Sequence, residues 1–139
     1  MAEATDPGGN PGPQDELAAM PEPVEINDQD ALSRRVFKWH IRKNGNLKPS
    51  AFKPPEDESN ELSVDLARLT TPDETLARSG RTDMGIATIL AAVPRENGLA
   101  AENRPLPGHA AHSQIEGEFT LDRMTELAAG SQLTVDPPD

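Results

Sequence analysis

The chain has no cysteine, no tyrosine, one tryptophan and three phenylalanines. Without cysteine, disulfides, thiolate catalysis and Cys-ligated zinc or iron–sulfur centres are excluded. With aromatics at 3%, large side chains are scarce, and Phe37, Trp39 and Phe52 are the expected core anchors, since each buries far more area than an alanine. No apolar run approaches the roughly 20 residues needed to span a bilayer. The opening MAEATDPGGN lacks the basic and apolar regions of a signal peptide, so the expected location is the cytoplasm, with no membrane partner. The chain also lacks G-x-x-x-x-G-K, G-x-G-x-x-G and G-x-S-x-G, so neither a phosphate-cradling loop nor a serine nucleophile elbow is indicated. By sequence, Ser63 has no evident histidine partner.

What is present is uneven. The 139 residues carry a formal charge of −11, but the charges are segregated. Residues 1–30 hold eight acidic side chains and no Lys or Arg, whereas residues 34–53 hold seven Lys or Arg and no acid. The acidic segment, with Pro7, Pro11, Pro13, Pro21 and Pro23, cannot bury enough apolar surface to offset its conformational entropy. Three segments are therefore expected: a disordered acidic Pro/Gly-rich tail over 1–31, a single domain over 32–130, and a disordered C-terminal tail over 131–139. A brief helical turn over 14–20 is the only structure expected in the first. A core of that size only marginally buries its apolar surface, which favours a partner and leaves room for a homo-oligomer.

Within the domain, Phe37, Trp39 and Ile41 alternate with Val36, Lys38 and His40, a strand pattern that puts the aromatics on the buried face. Asn44-Gly45 signals a hairpin turn, and Leu47–Phe52 reads as an irregular return, because Pro49 cannot donate to a ladder. Leu62, Val64 and Leu66 alternate inward in the next strand. Thr71-Pro72-Asp73-Glu74 is a capping box with proline at the first helical position, and Gly80 marks the end of that helix. The uncharged run Met84–Val93 reads as a buried strand ended by Pro94, with a buried helix of the same length as the competing reading. Residues 95–108 read as a polar loop, and Ala111–Phe119 as another strand. Thr120 caps a second short helix that Gly130 stops. The expected fold is α+β: a small, mainly antiparallel sheet with two short helices.

Several stretches recur together in a fixed order. Arg34-Arg35 opens a strand, Gly45 turns it, and Ser50-Ala51-Phe52-Lys53 follows. An acidic loop leads to Leu62-Ser63-Val64-Asp65, then come the threonine-capped helix and the glycine-led apolar strand. Last is Pro105-Leu106-Pro107, shortly before His109-Ala110 and Ile115. Over residues 34–129 this order resembles a family of small uncharacterised bacterial proteins. The resemblance implies a bacterial setting and a shared fold, and no reaction.

Three constellations bear on chemistry. His109 and His112 form H-x-x-H, but zinc needs three or four ligands. The surrounding prolines disfavour a helix, and on a strand these two histidines face opposite ways. They read as a loop histidine and a surface histidine. Arg35, Ser63 and Glu116-Gly117-Glu118 follow the order Arg…Ser…Glu-x-Glu, which is similar to one class of ADP-ribosyltransferases. That resemblance implies NAD as cofactor, with Arg35 on its phosphates, Ser63 supporting the site and Glu118 stabilising the ribosyl cation. This sequence departs from the pattern in having LSV rather than Ser-Thr-Ser at Ser63, and no tyrosine. Third, the basic run 34–53 could hold nucleic-acid phosphates while Phe37 and Trp39 stack bases, although these aromatics are also the expected core. Overall acidity opposes nucleic-acid binding. The favoured expectation is a non-enzymatic accessory protein without a cofactor. It would bind a protein partner through the exposed cations Arg42, Lys43 and Lys48, within a bacterial multiprotein system such as a defence or toxin–antitoxin system.

Overall fold

The alternation Leu62-Ser63-Val64-Asp65-Leu66 builds one of the two innermost strands. In the computed structural model, which describes residues 20–58 and 60–138, Glu61–Leu66 (β2) buries Leu62, Val64 and Leu66 toward the core. Ala31–Phe37 (β1) lies beside it, then Met84–Leu90 (β3) and Ser131–Val135 (β6); on the other side lie His112–Glu116 (β5) and Ala100–Asn103 (β4). The sheet order is β4-β5-β2-β1-β3-β6, and every pair is antiparallel. Among the described residues three α-helices accompany it: Pro72–Ala77 (α1), Ala92–Glu96 (α2) and Leu121–Ala129 (α3). The fold is thus α+β with an antiparallel sheet. Among the described residues no helix is long and apolar enough to cross a membrane.

Local signals were decisive at the helices. Thr71 Oγ1 accepts from the Glu74 amide at 3.2 Å and Glu74 Oε1 accepts from the Thr71 amide at 3.2 Å, closing the capping box. Thr120 Oγ1 caps α3 by accepting from the Arg123 amide at 3.1 Å. Asn44-Gly45 turns a miniature hairpin in which Ile41 bridges Leu47, with Gly45 at φ 88°.

Four expectations are corrected. Trp39 is not a core anchor: it is 61% exposed. The strand containing Phe37 begins at Ala31, and the register Leu32↔Leu66 and Val36↔Gly85 puts the even positions, Leu32 and Val36, inside. A change of parity moves every side chain to the other face, and after Phe37 the chain leaves the sheet through a 3-10 turn, Lys38–His40. Phe52 alone of the three proposed anchors is fully buried, on the 3-10 turn Pro49–Phe52, which packs against α3.

Second, Met84–Val93 is not one strand. β3 ends at Leu90, and α2 carries Pro94 in its first turn, where the missing N–H leaves no hydrogen bond unmade. This adds a third helix to the two expected. Third, the segment read as a loop over 95–108 contains β4; Ala100–Asn103 has little intrinsic strand preference and is recruited by the edge of β5. Fourth, residues 131–135 of the expected C-terminal tail form β6, whose Leu133 faces Ala87 of β3. Gly85 admits this strand, because a Cβ there would run into the Val135 carbonyl and the Pro137 ring.

At the N-terminal side, the disorder expected over 1–31 and the helical turn expected over 14–20 lie outside the described residues up to residue 19. From there the chain is held to the domain ahead of the expected boundary at 32. Ile26 is buried, the Val24 amide donates to Asn103 Oδ1 at 2.9 Å, and Arg95 Nη2 donates to the Ile26 carbonyl at 2.7 Å.

Candidate functional site

Two places collect the residues singled out by sequence. The first is a notch where β1 and β2 part. Their ladder spans only Leu32↔Leu66 and Ser33↔Asp65. Beyond it, Arg34 reaches across, Nη1 donating to the Ser63 carbonyl at 3.1 Å and Nε to the Ala51 carbonyl at 3.1 Å. The guanidinium so placed is deeply buried, though the residue keeps some exposed surface. Burial, with the charge of Arg35 alongside, pushes its pKa down to about 10.

Asp65 projects from β2 on the side opposite Val64 and Leu66 and is buried beneath α1. Its Oδ2 accepts from Thr75 Oγ1 at 2.8 Å and from Arg78 Nη1 at 2.9 Å, and its Oδ1 meets His109 Nε2 at 3.0 Å. Arg35 Nη1 donates to the Thr75 carbonyl at 3.0 Å, tying β1 to the same helix. His109 therefore carries its proton on Nε2. Burial holds its pKa below the ordinary range, outweighing the upward pull of Asp65, and the charges of Arg78 and His112 add to the depression. His112 Nδ1 lies 2.8 Å from the Arg104 carbonyl, which can only accept, so this nitrogen is the donor. In the neutral ring, Nε2 is then an acceptor, 3.4 Å from Ser63 Oγ. The two imidazoles meet edge to face with centroids 5.5 Å apart.

The notch thus unites Arg35 and Ser63 with His109 and His112, residues that sequence reasoning had placed in two unrelated constellations. Position in the fold is the reason: His112 pairs with Asp65 and Gln114 with Ser63 across β2 and β5, and the turn 105–108 folds His109 back over β2. His109 is accordingly packed on a carboxylate rather than free in a loop. Glu118 is not brought in. It is exposed, four residues beyond Gln114, past the end of β5 where the Gly117 amide bonds the Asn60 carbonyl. Arg35, Ser63 and Glu118 therefore do not share a cleft. Asp65, Thr75 and Arg78 were missed as site residues. The LSVD motif was visible, but nothing in the sequence showed that a helix would bury its last residue. Among the described residues, no group of three or more His, Asp or Glu is placed to hold a metal ion.

The second place is the surface around residues 37–48. Trp39 stacks on Phe37 with centroids 4.0 Å apart and planes 8° apart. The Arg81 guanidinium carbon lies 4.7 Å from the Phe37 centroid and is itself paired with Asp83. His40 Nδ1 accepts from the Phe37 amide at 3.0 Å, which pins the turn. Burial, then Arg34 and Lys48, lower the His40 pKa. Arg42 and Lys43 are exposed and Lys48 half-buried, on the miniature hairpin. Between that hairpin and β6 runs a groove of ≈ 540 Å³, bordered by Ile41, Arg42, Lys43, Leu133, Asp136 and Pro137. Arg68, Arg78, Arg81, Arg95 and Arg104 each pair with a carboxylate. Arg42, Lys43 and Lys48 share with Arg34, Arg35 and Arg123 the lack of a carboxylate partner among the described residues.

Compared with protein-family models, with curated proteins and with solved structures, the chain matches none.

Proposed function

We propose that the protein is a non-enzymatic interaction module that binds an acidic surface of a protein partner through residues 37–48, as an accessory component of a bacterial multiprotein system. The observation that carries this reading is the coincidence of an exposed tryptophan with cations lacking counter-charges. A chain with one Trp leaves it 61% exposed, while Arg42, Lys43 and Lys48 follow it within the same segment and form no ion pair with a described carboxylate. Tryptophan and arginine are the residues most enriched among interface hot spots, and uncompensated cations steer an acidic partner and set register. The Phe37 stack holds the indole in place, so little conformational entropy remains to be lost on binding.

A second reading is favoured by the same tryptophan. The indole face not covered by Phe37 could stack a base of single-stranded nucleic acid while neighbouring cations hold phosphates. Against this stand the overall charge of −11 and the confinement of the cations to one short segment.

Capture from nuclease-treated lysate of the native host separates the two. On the protein reading, a partner is retained by the unaltered chain and by Glu118→Ala. It is lost with the triple change Arg42→Glu, Lys43→Glu, Lys48→Glu, and released by moderate salt. Retention that vanishes on nuclease treatment points to nucleic acid. Consumption of NAD that depends on Glu118 would refute the non-enzymatic reading altogether.

A further inference from the structure

The notch between β1 and β2 holds more positive charge than its own residues neutralise. Asp65 is its one carboxylate, and that is already engaged by Arg78, Thr75 and His109. Arg34 and Arg35 have no carboxylate partner among the described residues. Arg34 spends two N–H donors on carbonyls, and Arg35 spends one, on the Thr75 carbonyl, and keeps the rest of its fork. Two hydroxyls, those of Ser33 and Ser63, line the same space. The contact between Ser63 Oγ and His112 Nε2 is long, at 3.4 Å, so this hydroxyl can turn to another acceptor at little cost.

We propose that this notch binds a carboxylate group, with the free edge of the Arg35 guanidinium as its principal donor and the Ser33 and Ser63 hydroxyls completing the site. The notch encloses only the anionic end of a ligand. The free volume is ≈ 30 Å³, room for about two water-sized groups. A carboxylate seats its two oxygens in that volume while the rest of its molecule extends through the open side. Geometry agrees, because a guanidinium edge presents two parallel N–H donors at the spacing of carboxylate oxygens. The notch is partly open to solvent, so the carboxylate can belong to a free small acid or to an acidic peptide. This inference is independent of the surface at 37–48.

The test uses the full chain and three probes at constant ionic strength: acetate, an acetylated peptide containing one glutamate, and inorganic phosphate. The readout is the NMR signals of the Arg35 side-chain N–H and of the His112 ring. Saturable shifts at both groups with acetate or the peptide, and weaker ones with phosphate, are expected. Tighter binding of the peptide assigns the carboxylate to a protein, and equal binding assigns it to a free small acid. Arg35→Gln should weaken binding by roughly 10–100-fold, the worth of a charged hydrogen bond. Ser63→Ala, which removes one hydroxyl and leaves the charges in place, should weaken it less and keep the fold. Rescue by Arg35→Lys should be partial, since lysine supplies charge without the fork. Shifts linear in acetate and unchanged by Arg35→Gln and by Ser63→Ala would mark an adventitious ion only and overturn the proposal. So would preference for phosphate.

Discussion

Replacing Trp39 by alanine should cost far less stability than replacing Phe52, although the sequence presents both as scarce aromatics of a small core. Trp39 is 61% exposed. The roughly two-fifths it buries, of a side chain worth about 200–250 Å², is about 90 Å², or about 2 kcal/mol at about 25 cal/mol per Å². That is an upper bound, because the contact is with Phe37, two residues away, and part of it survives in the unfolded chain. A loss of about 1 kcal/mol is expected. Phe52 has no exposed surface and packs beneath α3 among Ala51, Leu127 and Ala128. Its truncation leaves a cavity, with an expected loss of about 3–5 kcal/mol. Urea unfolding followed by circular dichroism measures both, since Trp39→Ala removes the only fluorophore tryptophan. Emission of the unaltered protein gives an independent reading: the folded maximum should lie close to that of the unfolded chain. A blue-shifted maximum, or a Trp39→Ala loss as large as that of Phe52→Ala, would refute the placement of the 38–40 turn outside the core.

Three further outcomes follow from named contacts. Asp65→Ala leaves Arg78, Thr75 and His109 without their shared acceptor; chemical denaturation should show a loss of about 3–5 kcal/mol, the cost of breaking a buried ion pair from one side. Gly85→Ala should destabilise by about 1–3 kcal/mol and raise amide exchange in 131–135, because its methyl would push β6 off the Val135 carbonyl contact. The histidines give a pH signature with a definite sign. His109 and His40 have folded pKa values below the ordinary 6.5, so below that pH the unfolded chain binds protons that the folded chain refuses. Their contribution is full above about pH 6.5 and is lost as pH falls through the lowered values; His109→Gln with His40→Gln should flatten that limb of the stability–pH curve.

Signals confined to a few consecutive residues were legible, and those that needed a partner strand were not. The capping box at Thr71, the cap at Thr120 and the turn at Asn44-Gly45 each close their own hydrogen bonds, so the sequence states them completely. The face of β1 depends on β2 and β3, and the reading from Arg35 onward chose the odd positions where the register chose the even. β6 was unreadable for the same reason: SQLTV shows only Leu133 and Val135 on one face, and it becomes a strand because β3 offers an edge. The notch follows the same rule. Arg35 with Ser63, and His109 with His112, were singled out as separate groups, since adjacency across β2 and β5 and the burial of Asp65 beneath α1 are properties of the assembled sheet. The basic segment was visible as a run of charge. What the sequence could not show is that its tryptophan lies outside the core, stacked on Phe37.

On the proposed function, residues 37–48 are the surface through which this domain meets an acidic protein. Amide hydrogen exchange of the full chain, alone and saturated with the partner captured from nuclease-treated lysate, tests it most directly. Added protection should centre on residues 38–48, with the neighbouring β6, and should disappear as salt is raised. Protection confined to the notch around Ser63, His109 and His112, or to the segment around Glu118, with residues 38–48 exchanging as freely as in the isolated chain, would contradict it.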